Sequence, residues 1–528
     1  LREYCDKWIP RAVSVLVMGI ASATTPLTHA ADWVSPADGS WTDSANWTGA
    51  NVPDTDVEQA VINATGSAYE VTLSTPLTIQ SLTLDSADAT LTLVSDLQIG
   101  TPTTAGAFTF NAGAVDGNIT LYGGPVKIGP TGAGNPTGGH LTLISDATAS
   151  IQATNSGGGN ILSGMTVSVR PLQGLSQLVV NVPGVFANHG TFNVHTPEDY
   201  LFTQVQAATS ITNHGHLETF ANTLGQGATF FYGTFTNAAT GVAEFATSGA
   251  FTGNVFNHGS MTVDATHYVT VTQQFTQVSG SLNTTLTLDA TTFDYQGGTI
   301  NGPVRTNQLL IASGVSTGTF IIRRYMTSQA SISQSGGTGG NIPAGVSVVS
   351  DSFADNRITQ LNVGNGFINE GSLHLQSING DNITLAPAGS GTFTNRGTYL
   401  VDSPNVTPGA HFISGHFVND SAGDATFDID ATIANNATNH GGITLDRKRA
   451  LNFLDDFTQS ATGELTIELG GADFSQLFVT DDVSLAGTLN LAHVDGFDPL
   501  IAPPEQQTLE ILTADTLTGD FDTVTGYY

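Results

Sequence analysis

The side chains through which this chain could do chemistry are paired carboxylates, one run of bases, repeated histidines and a knot of tryptophans. Adjacent acids occur as Asp455-Asp456 and Asp481-Asp482, and the one basic run is Arg447-Lys448-Arg449, preceded by Asp446. Glycoside cleavage needs two carboxyl groups about 5–10 Å apart, and a lyase acting on acidic sugars wants Ca2+-holding acids beside a Lys or Arg base. Neighbouring residues of a strand point to opposite faces, so neither Asp pair is expected to make such a site. Four histidines stand in Asn-His-Gly: His189, His214, His258 and His440. In strands stacked about 4.8 Å apart, His189 and His214 would come near enough to share a metal. No third ligand follows at a recognisable spacing, and they read as exposed turn histidines. Trp33, Trp41 and Trp47 fall within fifteen residues. Aromatic faces stack on sugar rings, which makes these three the candidate glycan-binding residues; the competing reading is that they cover the end of a core. There is no Ser-His-Asp signature, nucleophile elbow, His-Glu-x-x-His or zinc-type Cys spacing. No catalytic residue, resident metal or cofactor is assigned, and the chain is not expected to be an enzyme.

What must position these residues is a repeated corner. VFANHGTFNV, from Val185 to Val194, is an apolar pair, an Asn-x-Gly turn and then an alternating run. Asn and Gly tolerate the left-handed backbone of a tight corner, and alternation puts one face of the next strand in a core. The corner returns at Ile211, Phe235, Phe256 and Phe275, at steps of 25, 24, 21 and 19 residues. A second series, Phe367, Phe393, Phe417, Ala437 and Phe457, has steps of 26, 24, 20 and 20. The two series lie 181 or 182 residues apart position by position, and Asn160-Ile161 precedes the first as Asn341-Ile342 precedes the second. A period of 20–25 residues is one coil of a β-solenoid, each coil stacking on the last. The Phe two residues before the Asn is expected to stack on its counterparts inside, with the amides forming a ladder at the turn.

Composition agrees with that reading and narrows the partners. Charged residues are only 11% of the 528, Gly numbers 60, and Thr, Val, Leu and Ile recur in alternating runs, which suits strands and turns. Lys and Arg number 13 against 45 Asp and Glu, for a net charge of −32. That sign repels nucleic acid and anionic lipid. Weak Ca2+ binding is the most expected of the acidic surface. Residues 1–30 read as a secretory signal peptide: Arg2, Lys7 and Arg11, then an apolar stretch from Ala12 to Ala23, too short to span a bilayer, with cleavage after Ala30. It takes away Cys5, the one cysteine, so disulfides and thiol chemistry are not expected. Residues 31–68 form a Trp-rich N-terminal cap, since a first coil exposes unpaired edges that must be covered. The first repeat module covers 69–283, the second 284–465, and the last coils with a C-terminal cap cover 466–528. Val71, Leu73, Leu77, Ile79, Leu82, Leu84, Leu91 and Leu93 are expected to face inward. The Gly-rich stretches 129–139 and 336–340 read as flank insertions, because no helix follows to complete a phosphate cradle.

The tail carries a resemblance. From Phe478 to Leu489 it reads Phe-Val-x-x-x-x-x-Leu-x-Gly-x-Leu, followed by Ile-Leu-Thr at Ile511 and Gly-Asp-Phe at Gly519. The entry GSWTDSANW, Gly39 to Trp47, with Pro53 and Asp56, is similar to the start of the same proteins. Together with the Asn-x-Gly coils these resemble bacterial secreted β-strand-repeat surface proteins, the autotransporter-passenger-like and exosortase-sorted β-helix proteins. The resemblance implies an all-β, elongated right-handed parallel β-helix displayed outside the cell, with adhesive or structural roles and no catalytic residues. The expected function is an extracellular structural or adhesive rod meeting glycans, cells or copies of itself, secreted or on the outer surface of a bacterium. No nucleic acid and no membrane insertion by the mature chain are expected. The alternatives are a β-helix polysaccharide lyase or glycosidase, and a glycan-binding module using Trp33, Trp41 and Trp47.

Overall fold

The computed structural model describes residues 30–526 apart from 130–137, 146–147, 154–159, 172–176, 183, 197–201, 221–226, 285–287, 303, 323–328, 335–339, 351–359, 378–379, 381, 404–408, 447, 471–472 and 495–508. The leader up to residue 29, Cys5, Arg447 and most of both Gly-rich stretches lie outside the described residues. Strands take up 64% of the chain and helix 2%, so the alternating runs form a β-solenoid of parallel stacked coils. Each coil has three faces. Gln177–Val182 lies on the first face, Val185–Asn188 on the second and Thr191–His195 on the third. The next coil repeats them: Phe202–Asn213 bends across the first two faces and His216–Phe220 supplies the third, all in parallel register with the coil before. Pairings between named strands are parallel throughout, except one antiparallel contact of Glu464–Gly470 with Asp473–Phe474.

Period-two alternation sends every second side chain into the space between the faces. Val71, Leu73, Ile79, Leu82, Leu84 and Leu91 are buried, while Leu77 and Leu93 pack half-buried against them. At the corners the inward position two before the amide carries Phe186, Ile211, Phe235, Val255 and Phe275, paired in register. Phe256 is not the inward residue of its coil; Val255 is, because strand parity counts back two from Asn257. The rings stack flat only in places, such as Phe275 on Phe293 at 5.1 Å and 7°, whereas Phe367 and Phe393 tilt by 35°.

The corner asparagines are inside the prism, not on its outer edge. Asn188, Asn213, Asn237, Asn257 and Gln277 are each 0% exposed. Each Nδ2 donates to the amide oxygen of the next coil, at 2.7, 2.9, 2.8 and 2.9 Å down the series. The same nitrogens donate to the backbone carbonyls of His216, Val242, Ser260 and Ser281. Asn369, Asn395, Asn419, Asn439 and Gln459 repeat the arrangement at 2.8 to 2.9 Å. Both ladders start below an isoleucine, Ile161 pairing with Asn188 and Ile342 with Asn369. A buried amide is tolerable only when its hydrogen-bonding groups are met, and a head-to-tail ladder meets them with other amides.

The two ladders run along different edges. In the first series the corner strand lies on the second face and the strand after it on the third, in an eleven-stranded sheet. In the second series the corner strand Phe367–Asn369 joins an eight-stranded sheet on the third face. The strand after it, Ser372–Gln376, pairs back through Val346–Ser350 and Gly318–Ile322 to Val304–Ile311 on the first face. The 181-residue offset is therefore not a whole number of coils. The motif has moved one face round the rod.

Candidate functional site

At the N-terminal end, Trp33, Trp41 and Trp47 are 3%, 0% and 2% exposed. Their rings meet edge to face, Trp33 with Trp47 at 5.1 Å and Trp41 with Trp47 at 4.9 Å, the favoured geometry for ring quadrupoles. The Trp47 Nε1–H donates to the Trp41 carbonyl at 2.6 Å, and the Trp41 Nε1–H to the Pro53 carbonyl at 2.9 Å. A buried indole offers no face to a sugar, so the geometry fits the end-cover reading of these three residues. The cap nevertheless shapes the surface beside it. The Glu58 carboxylate accepts from the backbone N–H of Asp54 and Thr55 and from the Thr55 hydroxyl, and Asn51 Nδ2 donates to its other oxygen. Burial raises the Glu58 carboxyl, but these hydrogen bonds outweigh it and hold the group below its usual range. The loop so fixed walls an open cleft of about 650 Å³ lined by Thr42, Asp54, Asp56, Thr75, Thr78 and Thr101.

On the third face, outward side chains fall into rows because the parallel register repeats coil by coil. One row runs Ser168, Asn193, Glu218, Glu244, Thr262, Asn283 and Asn301. A parallel row runs Thr166, Thr191, His216, Val242, Ser260, Ser281 and Thr299. Short polar side chains bond along them, as Asn283 Nδ2 to Thr262 Oγ1 at 3.2 Å and Asn301 Nδ2 to Asn283 Oδ1 at 2.7 Å. Where the rows turn acidic, His216 Nε2 lies 3.0 Å from Glu244 Oε2. Burial pushes the Glu218 carboxyl up, with His216 opposing and Glu244 adding to the rise. At the far end of these strands His195 stacks on Phe220 at 4.6 Å and 11°. Burial, and then Arg170, lower the His195 imidazole to about 4.

Asp455, Asp456 and Asp481 sit at corners, with Asp482 opening the strand Asp482–Leu485, and this changes their geometry. Asp455 and Asp456 join Ala450–Phe453 to Phe457–Gln459, and Asp481 stands in the same position one coil on. Ligand atoms of Asp455, Asp456 and Asp481 lie within 4.8 Å of one another, so the expectation that strand alternation separates them does not hold there. The Asp481 carboxyl is raised by desolvation and then by Asp455, Asp456, Asp482 and Asp515. No protein-family model, curated protein or solved structure matches the chain. The candidate chemistry therefore rests on geometry alone.

The Asn-His-Gly histidines behave as turn residues. His189 and His214 stack at 4.6 Å and 4°, which points their nitrogens side by side in parallel planes and not at a common point. Burial first, and the neighbouring His214 second, lower the His189 imidazole. Sequence reading missed His216, Glu218 and Glu244. The signal was present: Glu218 and Glu244 are 26 residues apart, about one coil, and His216 shares a strand parity with Glu218. Stacking brings together acids one period apart, not acids adjacent in the chain.

Proposed function

We propose that the protein is an extracellular structural or adhesive rod, secreted or held on the outer surface of a bacterium, whose long side meets glycans, other cells or copies of itself. The observation that supports this reading is the pair of in-register rows on the third face. They offer hydroxyls, amides and carboxylates at a regular strand spacing of about 4.8 Å. Individually such contacts are weak; repeated along a rod they add through effective concentration. The acidic surface keeps nucleic acid and anionic membranes away, and among the described residues no helix is long and apolar enough to cross a membrane.

The direct test is binding of the full chain to a glycan panel and to bacterial and epithelial cells, with light scattering to read self-association. Retention on one of these surfaces, lost when Thr191, Asn193, Thr262 and Asn283 are replaced together by Ala, is the expected result. Failure to bind any surface and a strictly monomeric solution state would refute it. A second reading, glycan capture at the N-terminal end, draws on the cleft beside Asp54 and Asp56. Replacing Thr75 and Thr78 by bulky Tyr separates it from side-on binding, because only cleft binding would be blocked. The same panel, read for release of reducing or unsaturated ends, tests the lyase or glycosidase alternative.

A further inference from the structure

We propose that His216, Glu218 and Glu244 form a binding site for a first-row divalent metal ion of the Zn2+ class on the third face of the rod. His216 and Glu218 are two apart on His216–Phe220 and so project to the same side. Glu244, on Val242–Ala246, is the register partner of Glu218. One ligand atom from each of the three lies within 4.8 Å of the other two, and His216 Nε2 is already 3.0 Å from Glu244 Oε2. Donor atoms around a tetrahedral Zn2+, with bonds of about 2.0–2.2 Å, stand about 3.3 Å apart. The three donors thus stand within about 1.5 Å of that spacing as they are. Both strands are hydrogen-bonded on each side within one parallel sheet, so the site is built on a rigid support.

Two further observations point to a missing positive charge. Glu218 and Glu244 are like charges on neighbouring strands, and Glu218 takes no hydrogen bond from the described residues. A cation seated between His216 and the two carboxylates neutralises the pair. The donor set chooses the metal. Ca2+ and Mg2+ prefer all-oxygen surroundings, whereas one imidazole with two carboxylates suits Zn2+, Co2+ or Mn2+. His216 and Glu244 side chains are 37% and 46% exposed, so an ion held there keeps solvent-facing positions.

Titration of the full chain with ZnCl2 by calorimetry at neutral pH, in a buffer that does not chelate, tests the proposal. One tight site per chain is expected above any diffuse binding by the acidic surface. His216→Ala, Glu218→Gln and Glu244→Gln should each weaken it at least about tenfold, while Asp456→Asn with Asp481→Asn, at the tail corner, should leave it unchanged. Co2+ serves as a second probe, because a nitrogen donor changes its visible spectrum and that change should vanish in His216→Ala. Melting curves of the variants, expected to match the parent, exclude unfolding as the cause. The proposal is overturned if no discrete site is seen, if the His216→Ala, Glu218→Gln and Glu244→Gln triple variant binds as well as the parent, or if the tail variant abolishes binding.

Discussion

The two amide ladders share an interior and differ on the outside. Inside, each is four asparagines and a glutamine with matching donors and acceptors. Outside, the residue that follows the Asn is His189, His214, Ala238 and His258 in the first, but Glu370, Arg396, Asp420 and His440 in the second. The first edge stacks two imidazoles; the second alternates charges, with Arg396 Nε 2.7 Å from Asp420 Oδ2 and Arg396 Nη1 3.8 Å from Glu370 Oε1. The ladders also run along different edges of the prism. What a corner demands is thus set by its inner side, where an amide must meet the amides above and below. The outer side is free to differ.

The largest effect comes from breaking the shared interior. Asn213→Asp or Asn419→Asp keeps the shape but removes the donors and buries a charge. Each should destabilise its coils by more than about 3 kcal/mol, read as faster hydrogen exchange of the flanking strands and a lowered midpoint in denaturant. Asn213→Ala should cost more than Asn188→Ala. The former strands an amide on either side, whereas Asn188 Oδ1 has no partner to lose. Equal costs for Asn188→Ala and Asn213→Ala would show that the amides act singly and not as a ladder.

Next in size is a feature of the second region alone. His411 is 1% exposed, accepts from the Tyr399 hydroxyl at Nε2 at 2.5 Å, and donates from Nδ1 to the Ile383 carbonyl at 3.0 Å. Burial lowers its imidazole to about 4, against an opposing hydrogen bond to Ile383. The unfolded chain takes up this proton near pH 6.5 and the folded chain only near 4. The contribution is therefore complete above about 6.5, declines as pH falls toward 4 and is flat below. Its full size is about 3 kcal/mol. Denaturant midpoints of parent and His411→Leu across pH 4–7 should show the slope reduced in the variant; parallel curves would remove His411 from the account.

Much of this was legible in the sequence. Alternation and the Asn-x-Gly period specify parallel stacked coils, and the inward residues from Val71 to Leu91 follow from parity. The amide ladder was foreseen as a series but not as buried, because an Asn before a Gly suggests a turn position. Only the closed triangle shows that the side chain points in. The shift of the second series by one face was hidden too. A sequence offset counts residues and not faces, and residues 312–317 cross the third face without forming a strand. The three tryptophans stand out in the sequence as a cluster, but sequence cannot say whether a ring's face is covered. The His216, Glu218 and Glu244 cluster depends on pairing between coils whose lengths vary from 19 to 26 residues, so a small error in phase places each residue opposite the wrong neighbour.

The smallest effects belong to the outer edges, and they sharpen the contrast between the two series. Arg396 is 44% exposed, and an ion pair so placed is worth about 0.5 kcal/mol at low salt and less at high salt. Arg396→Ala should therefore shift the denaturant midpoint slightly in dilute buffer and not at all in 1 M NaCl. The bond from Arg396 holds the Asp420 carboxyl below its usual range, so that small contribution is present at neutral pH and disappears as pH falls through the carboxylate range. The imidazole edge answers pH in another window. Burial and the adjacent His214 both resist protonation of His189, so the contribution of its neutral ring is complete above the unfolded value near 6.5 and is lost as pH falls through the lowered folded value. His189→Ala should be nearly silent at pH 7.5 and relieve repulsion at pH 5, by a few tenths of a kcal/mol. If Arg396→Ala and His189→Ala respond alike to salt and to pH, the outer edges are interchangeable, and the difference between the two series carries no physical meaning.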